Sequence, residues 1–366
     1  MARLSLDYVL RREHSAFIDQ KSSLDLKKYG DTYDCVNFYK QPAFDHPLLQ
    51  NHDIHPKIKS TLASTLQNSD MSAAHEANES SGIWLKERGC PFETVPIKRI
   101  TKDGLIRQRH IPPPEAIAYE APLSNSNNNS EPKRISISSQ GYKLAIVQIP
   151  NNPNNKFAGA GMLASLWNPR IESQRHTACR LKIQKGSNSL QAGWRVGNTH
   201  CFNTLCPGFV IVSSKYHVDG VFDPVTQRGD KRVLEIPMFI ERDLANGNWW
   251  LLFGESNEQV GFWPQRLFSN LASFATSVER VAYSPPGVSE PPMGSSYFPI
   301  GDPNYDAYCR RLNVLNGKGE IVHIDKTTVR VDDSDWYGVM DVSHWRGGKY
   351  QHMAFYGGPG GFETLC

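Results

Sequence analysis

From about residue 138 onward, the chain alternates short apolar runs with Gly, Pro and Asn. Runs of this kind are typical of strands bounded by turns. The predicted strands lie at residues 142–149, 161–167, 178–183, 190–196, 208–212, 233–240, 248–254, 260–263 and 353–356. The stretch 264–280 differs, because apolar residues such as Leu267 and Leu271 follow the three- and four-residue spacing of a helix. Many strands with one helix predict a mainly β fold, an antiparallel β-sandwich.

Three of the eight tryptophans, Trp249, Trp250 and Trp263, lie within about fifteen residues of one another, next to Gly and Asn. Indole rings bury a large area and need a partner for the ring N–H group. The block therefore predicts a tightly packed pair of strands.

The first 115 residues have a different sequence pattern, which predicts a smaller α+β domain. Apolar residues at helical spacing occupy 4–18, Pro-rich irregular sequence follows, and 95–100 alternates like a short edge strand. Residues 116–137 include an Asn/Ser tract that cannot bury enough apolar area to order itself, which predicts a linker. The sandwich is then expected over 138–366.

Composition narrows the classes of partner. The 366 residues suit two domains, 39% of them are hydrophobic, and a net charge of +3 provides no basis for nucleic-acid binding. No run approaches the roughly 18 apolar residues of a membrane span, and the first residues lack the apolar core of a secretory signal. We expect a soluble protein without nucleic-acid or membrane partners.

Seven cysteines form an odd set in a chain too long for a disulfide miniprotein. Cys201 and Cys206 are spaced so that a turn between them can close a small disulfide, although two thiols or a metal site are alternatives. No second Cys/His pair with zinc spacing follows, and the acidic run 332–335 lacks the loop of an EF-hand. We expect neither metal nor cofactor.

Blocks of residues along nearly the whole chain resemble the plant neprosin family, in the expected order. Residues 29–47, 89–91 and 95–99 are similar to its activation peptide. Residues 190–196, 201–209, 247–251, 261–264, 293–295 and 356–360 are similar to its catalytic domain.

The resemblance implies a secreted proenzyme, extracellular or vacuolar, whose prodomain covers a cleft in the sandwich. Two glutamates in that cleft cut peptides after proline at acid pH, without metal or cofactor. Such chemistry needs one carboxylate to take a proton from water and an acidic partner to stabilise the oxyanion or protonate the leaving amine. If the chain is secreted, the sequons at Asn78 and Asn128 are glycosylation sites.

Both glutamates implied by the resemblance are replaced. Gln191 stands where the first precedes Ala-Gly-Trp, and Pro286 marks the approximate position of the second. Glu279 and Glu290 flank that second position and are the available substitutes. The related fungal glutamic peptidases use a Gln and Glu pair, so Gln191 alone does not exclude activity, and the second position decides.

A segment of roughly twenty-five residues that the family carries between Val196 and Cys201 is also missing here, through evolutionary loss or an error in the gene prediction. Two hypotheses follow. One is an acid endopeptidase-like protein that is impaired or inactive. The other is a non-catalytic binding or structural module for Pro-rich peptides or cell-wall polymers. Trp194, Trp249 and Trp250 are candidate stacking platforms for it, although we expect such rings to lie in the core.

Overall fold

A computed structural model describes most of the chain outside two long N-terminal stretches and several short loops. The described residues are 23–26, 31–60, 89–99, 143–150, 152–171, 176–197, 207–218, 220–254, 256–284, 290–324, 326–343 and 352–361. The predicted helix over 4–18 and the predicted linker over 116–137 lie outside these ranges.

The first domain contributes a three-stranded antiparallel sheet in the order β1-β2-β3. Its strands are β1 (Ser23–Leu26), β2 (Asp31–Asn37) and β3 (Thr94–Lys98). Three short 3₁₀ turns follow β2, at Phe38–Lys40, Pro42–Asp45 and Pro47–Leu49. A disulfide joins Cys35 on β2 to Cys90, just before β3, with the Cα atoms 5.4 Å apart. The described residues of this domain thus hold strands and 3₁₀ turns but no α-helix.

The second domain is an antiparallel sandwich of two sheets, which confirms the predicted fold class. Its strands are β4 (Lys143–Gln148), β5 (Phe157–Ser165), β6 (His176–Lys185), β7 (Asn188–Gly197), β8 (Val210–Ile211), β9 (Glu235–Arg242), β10 (Trp249–Phe253), β11 (Glu258–Trp263), β12 (Ser277–Ser284), β13 (Met293–Gly294), β14 (Ala307–Asn316), β15 (Ile321–His323), β16 (Thr328–Val331), β17 (Gly338–Val342) and β18 (Met353–Gly358). One sheet runs β13-β18-β14-β5-β9-β10-β11-β8, with β15 on β14 and β17 on β18. The other runs β16-β4-β12-β6-β7.

The main core lies between these two sheets. Side chains that alternate along each strand point into it, for example Leu181 and Ile183 from β6 and Met238 and Ile240 from β9. Trp249 belongs to this core, and its indole N–H donates to the carbonyl of Leu271 at 2.8 Å. The predicted need of an indole for a partner is met at Trp249, whereas the buried indole N–H of Trp250 has no hydrogen-bond partner among the described residues.

The neighbouring Trp250 points to the opposite face of the ten-stranded sheet. There it packs with Phe262 and Val210 against Phe38 and Leu49 of the first domain. Residues 31–60 and 89–99, called here the N-terminal module, cover this apolar face. The module therefore completes the burial of the tryptophan block from outside the sandwich.

Gln41 connects the module to the sheet by hydrogen bonds as well as by packing. Its side-chain amide donates to the carbonyl of Ile211 at 3.1 Å, and its oxygen accepts from the Ile211 N–H at 2.7 Å. Gln41 is only 1% exposed, so both backbone groups of Ile211 depend on it.

The helix predicted over 264–280 is wrong. The segment forms one 3₁₀ turn at Gln265–Leu267, then irregular chain, and β12 begins at Ser277. Polar side chains, two of them from other strands, form hydrogen bonds with backbone groups of this segment that a helix would pair internally. The Asn188 oxygen accepts from the N–H of Asn270 at 2.7 Å, and Gln265 and Arg242 donate to the carbonyl of Ala272. These tertiary contacts outweigh a helical pattern of apolar residues.

The strands predicted from pattern are all present, with ends shifted by a few residues, whereas β1, β2 and β12 to β17 were not predicted. None of the helices among the described residues has the length and apolar character needed to span a bilayer. Within the same ranges, no three His, Cys, Asp or Glu side chains are grouped so that they could hold a metal ion.

We predict that Gln41→Ala lowers the free energy of unfolding by about 2 kcal/mol or more, because it leaves two buried backbone groups of Ile211 without partners. Denaturant unfolding measures this. Gln50→Ala removes the same kind of side chain from an exposed position of the module and should change stability by less than about 0.5 kcal/mol. Equal effects of the two substitutions would show that the contact to Ile211 contributes nothing.

Candidate functional site

Gln191 lies on β7, the edge strand of the five-stranded sheet, and points away from the sandwich core. Its neighbours Leu190 and Ala192 both face the core, and successive side chains on a strand alternate between faces. Gln191 is half-buried and pairs directly with Lys182 on β6. The position that the resemblance marks as catalytic is therefore on the surface of the sheet opposite the core.

A row of polar residues crosses the sheet at the level of Gln191. Lys182 pairs with Gln191 on one side and with Glu279 of β12 on the other. Glu279 pairs in turn with Gln148 of β4, which pairs with Thr328 of β16. Directly paired residues share a face, so these five side chains, the polar row, form one line over all five strands.

Gln191 is held by a cation within the sheet. Arg180 lies on β6, two residues before Lys182 and on the same face of the sheet. Its guanidinium donates to the Gln191 side-chain oxygen at 3.0 Å. Arg180 pairs in register with Gly193, where a Cβ atom would come within 1.9 Å of the Cys179 carbonyl oxygen. Glycine at 193 therefore allows β7 to approach β6 closely enough for this contact. The Gln191 amide N–H groups can donate to a ligand, but a glutamine takes no proton as a base.

Glu279 is the carboxylate that shares the face and the level of Gln191, and it forms an ion pair. Its carboxylate lies 3.2 Å from the ammonium of Lys182, and the two side chains are 12% and 10% exposed. A buried ion pair is costly to break, since each partner would be left without its counter-charge. Glu279 lies two strand spacings from Gln191, about 10 Å between backbones, with Lys182 between them.

Glu290 is not part of this site. It precedes β13, and its backbone carbonyl accepts from the Gly361 N–H at 3.0 Å. Glu290 lies near Lys143. The pKa of Lys143 is raised mainly by its hydrogen bond to Asp333, and the negative charge of Glu290 contributes to the same rise. Lys143 is the first residue of β4 and Gln148 the last, which separates them by about 17 Å along the strand.

Several other predicted site residues lie outside the described ranges. They are Pro286, the disulfide candidates Cys201 and Cys206, and the glycosylation candidates Asn78 and Asn128. Those predictions stay open.

The three tryptophans considered as stacking platforms are core residues instead, which confirms the favoured expectation for them. Trp194 is 4% exposed, and Trp249 and Trp250 are fully buried. The indole N–H of Trp194 donates to the Ser165 carbonyl at 2.9 Å inside the core. Because all three rings fill the interior or the interface with the N-terminal module, none can stack on a ligand while the module is bound.

Glu241 is a functional candidate that sequence reasoning missed. It lies on β9, paired with Trp250, and is fully buried beneath the module, where Ser60 donates to its carboxylate at 3.1 Å. Burial raises its pKa from an ordinary value near 4.5 to about 7; the Ser60 hydrogen bond opposes the rise and the charge of Asp243 adds to it. The sequence held a signal, since Glu241 ends the apolar run 236–240.

Comparison with known families gives two matches to this chain. The Neprosin family model matches residues 173–359, and the Neprosin activation peptide model matches residues 27–148. The first match includes Gln191, Glu279 and the two strands that carry them. The second includes the whole N-terminal module and β4.

We predict that Glu241 makes the protein more stable in acid. A carboxyl whose pKa is raised in the folded state stabilises that state fully below pH 4.5, and the contribution is lost as pH rises through about 7. The free energy of unfolding that this carboxyl contributes should fall by a few kcal/mol between acid and neutral pH. Unfolding by denaturant at pH 4.5, 6 and 8 should therefore show a stability loss that Glu241→Gln removes.

The matched control is Glu258→Gln, an exposed glutamate on the nearby strand β11, which should leave the pH dependence unchanged. If the free energy of unfolding changed with pH in the same way for the unmodified protein and for Glu241→Gln, Glu241 would not be the group responsible.

Proposed function

This chain belongs to the neprosin family, and we propose that it is a divergent member in which acid, post-proline peptidase activity is impaired or lost. The observation that carries the proposal is the state of the polar row. Gln191, which the resemblance gives as the position of the first catalytic glutamate, is held by Arg180, and the carboxylate of the row, Glu279, is held by Lys182. Neither side chain is placed to act as the base that removes a proton from water.

The charge of the row supports the same conclusion. In the two-glutamate mechanism that the family resemblance implies, two nearby carboxyls share a proton, which is why such a site operates at low pH. Two buried cations lie in and next to the polar row instead, Lys182 paired with Glu279 and Arg180 bonded to Gln191. The charged partner of Glu279 in the row is thus the ammonium of Lys182 and not a second carboxyl.

A second candidate function is residual hydrolysis by a Gln and Glu pair. The observation in its favour is that Gln191 and Glu279 share one face and one level of the sheet. In this scheme Glu279 takes the proton of the attacking water, and the Gln191 amide donates to the oxyanion. The scheme requires Glu279 to leave Lys182 and to reach across the intervening strand.

If hydrolysis is lost, the retained face is available for binding. We propose a peptide, including a Pro-rich one, as the ligand, with cell-wall polymers as the alternative class. The Cys35 to Cys90 disulfide supports an oxidising compartment, which agrees with the extracellular or vacuolar location that we propose. In this reading, the activation peptide-like domain is an intramolecular partner of the sandwich.

We predict no cleavage of a Pro-containing peptide by the unmodified protein at pH 2.5 to 5, above a buffer control, because the carboxylate that shares the face and level of Gln191 among the described residues is paired with Lys182. Mass spectrometry of the peptide after prolonged incubation measures this. The assay includes protein treated with a protease that cuts the linker region, so that a covering prodomain does not hide activity.

Matched variants separate the two candidates. Cleavage that Glu279→Gln abolishes and Glu290→Gln retains would establish the Gln and Glu pair and defeat the proposal. If the unmodified chain is inactive and Gln191→Glu combined with Lys182→Gln gains cleavage, the replaced groups were the defect. Unchanged inactivity of that variant would direct attention to the shortened segment before Cys201.

A further inference from the structure

Two cysteines from opposite sheets meet in the centre of the sandwich. Cys179 lies on β6 of the five-stranded sheet and Cys309 on β14 of the ten-stranded sheet. The structure holds both as thiols, with the sulfur atoms 3.1 Å apart. They are 1% and 2% exposed and belong to the main core. This pair was not singled out in the sequence, where 130 positions separate the two cysteines.

Small residues surround Cys309 and allow the sheets to come close. Its direct partners in the sheet are Ala164 on β5 and Ala354 on β18, and both face the core. Cys179 pairs with Trp194, whose ring fills the space beside it. The two sulfurs need to approach by only about 1 Å to reach the disulfide bond length of about 2.05 Å.

The rest of the chain indicates the conditions under which it folds. The Cys35 to Cys90 disulfide forms and persists only where the surroundings are oxidising. Cys179 and Cys309 are exposed to the same oxidant while the chain is still open, before folding brings the two thiols into contact. The N-terminal pair closes a loop within the module, whereas Cys179 and Cys309 would connect the two sheets.

We infer that Cys179 and Cys309 form a disulfide that joins the two sheets of the sandwich. Its position makes it a cross-link between strands that are distant in sequence but adjacent in the core. It fixes β6, which carries Arg180 and Lys182, against the larger sheet. The inference is independent of whether the polar row catalyses hydrolysis.

The bond forms by thiol–disulfide exchange with a small or protein disulfide as the oxidant. The thiolate of one cysteine attacks a sulfur of the oxidant, which gives a mixed disulfide and releases one thiol. The second cysteine then attacks the protein sulfur and releases the other thiol. Two protein thiols are oxidised, one oxidant disulfide is reduced to two thiols, and the two cysteine protons end on those thiols.

Burial determines when this exchange takes place. Attack requires the oxidant to reach a sulfur, and neither side chain is accessible once the sheets have packed. The exchange therefore takes place before the core closes. The same burial shields the finished bond, so a reductant that acts on the native protein should leave it intact.

The direct test is a disulfide map of the full-length protein produced in an oxidising folding compartment or refolded in a glutathione redox buffer. The protein is unfolded at acid pH, alkylated, digested without reduction and analysed by mass spectrometry. We expect one peptide pair linked through Cys179 and Cys309. Alkyl groups on both of these cysteines would overturn the inference, and this result does not depend on any variant.

A stability test uses Cys179→Ala, Cys309→Ala and the double variant. The closed loop is long, so we expect the oxidised unmodified protein to melt on the order of 10 °C above all three, which should share one Tm. Refolding in reductant should remove this difference. The matched control replaces Cys35 and Cys90 with Ala and should keep the difference. Additive losses from the two single variants, unchanged by reductant, would contradict a bond.

Discussion

Two adjacent indole rings on β10 point to opposite faces of the ten-stranded sheet. Trp249 packs in the core of the sandwich, and Trp250 packs in the interface with the N-terminal module. A single pair of neighbouring residues therefore connects the packing of the sandwich to the docking of the first domain. Because such rings bury a large area, the module is part of the protein's hydrophobic structure rather than a loose extension.

The same strands explain how the fold can be retained independently of the residues in the polar row. Core residues of β6 and β7 alternate with the residues of the polar row, so the inward face can keep its apolar side chains whatever stands outward. Gly193 keeps the two strands in close contact, and Arg180 and Lys182 then share the outward face with Gln191 and Glu279. In the proposed function, family membership depends on the inward face of this sheet and catalytic competence on its outward face.

Strand existence, the sandwich class and the family could be predicted from local pattern and motifs. The failures share one cause, which is dependence on long-range contacts. The stretch 264–280 has a helical pattern, but Asn188 and Arg242 from distant strands bind its backbone. The alignment of Gln191 with Glu279 depends on how β7, β6 and β12 pair, and single-sequence reasoning does not provide that register. The burial of Glu241 likewise depends on Ser60, which lies far away in the chain.

The central claim is that a neprosin sandwich persists here without a working base at Gln191. Oxygen exchange tests it most directly, because a competent site forms a tetrahedral intermediate even on a product carboxylate. A peptide ending in proline, incubated with the protein in ¹⁸O-labelled water at acid pH, should incorporate label into its terminal carboxyl group no faster than in buffer alone. Faster incorporation that disappears in Glu279→Gln would contradict the account.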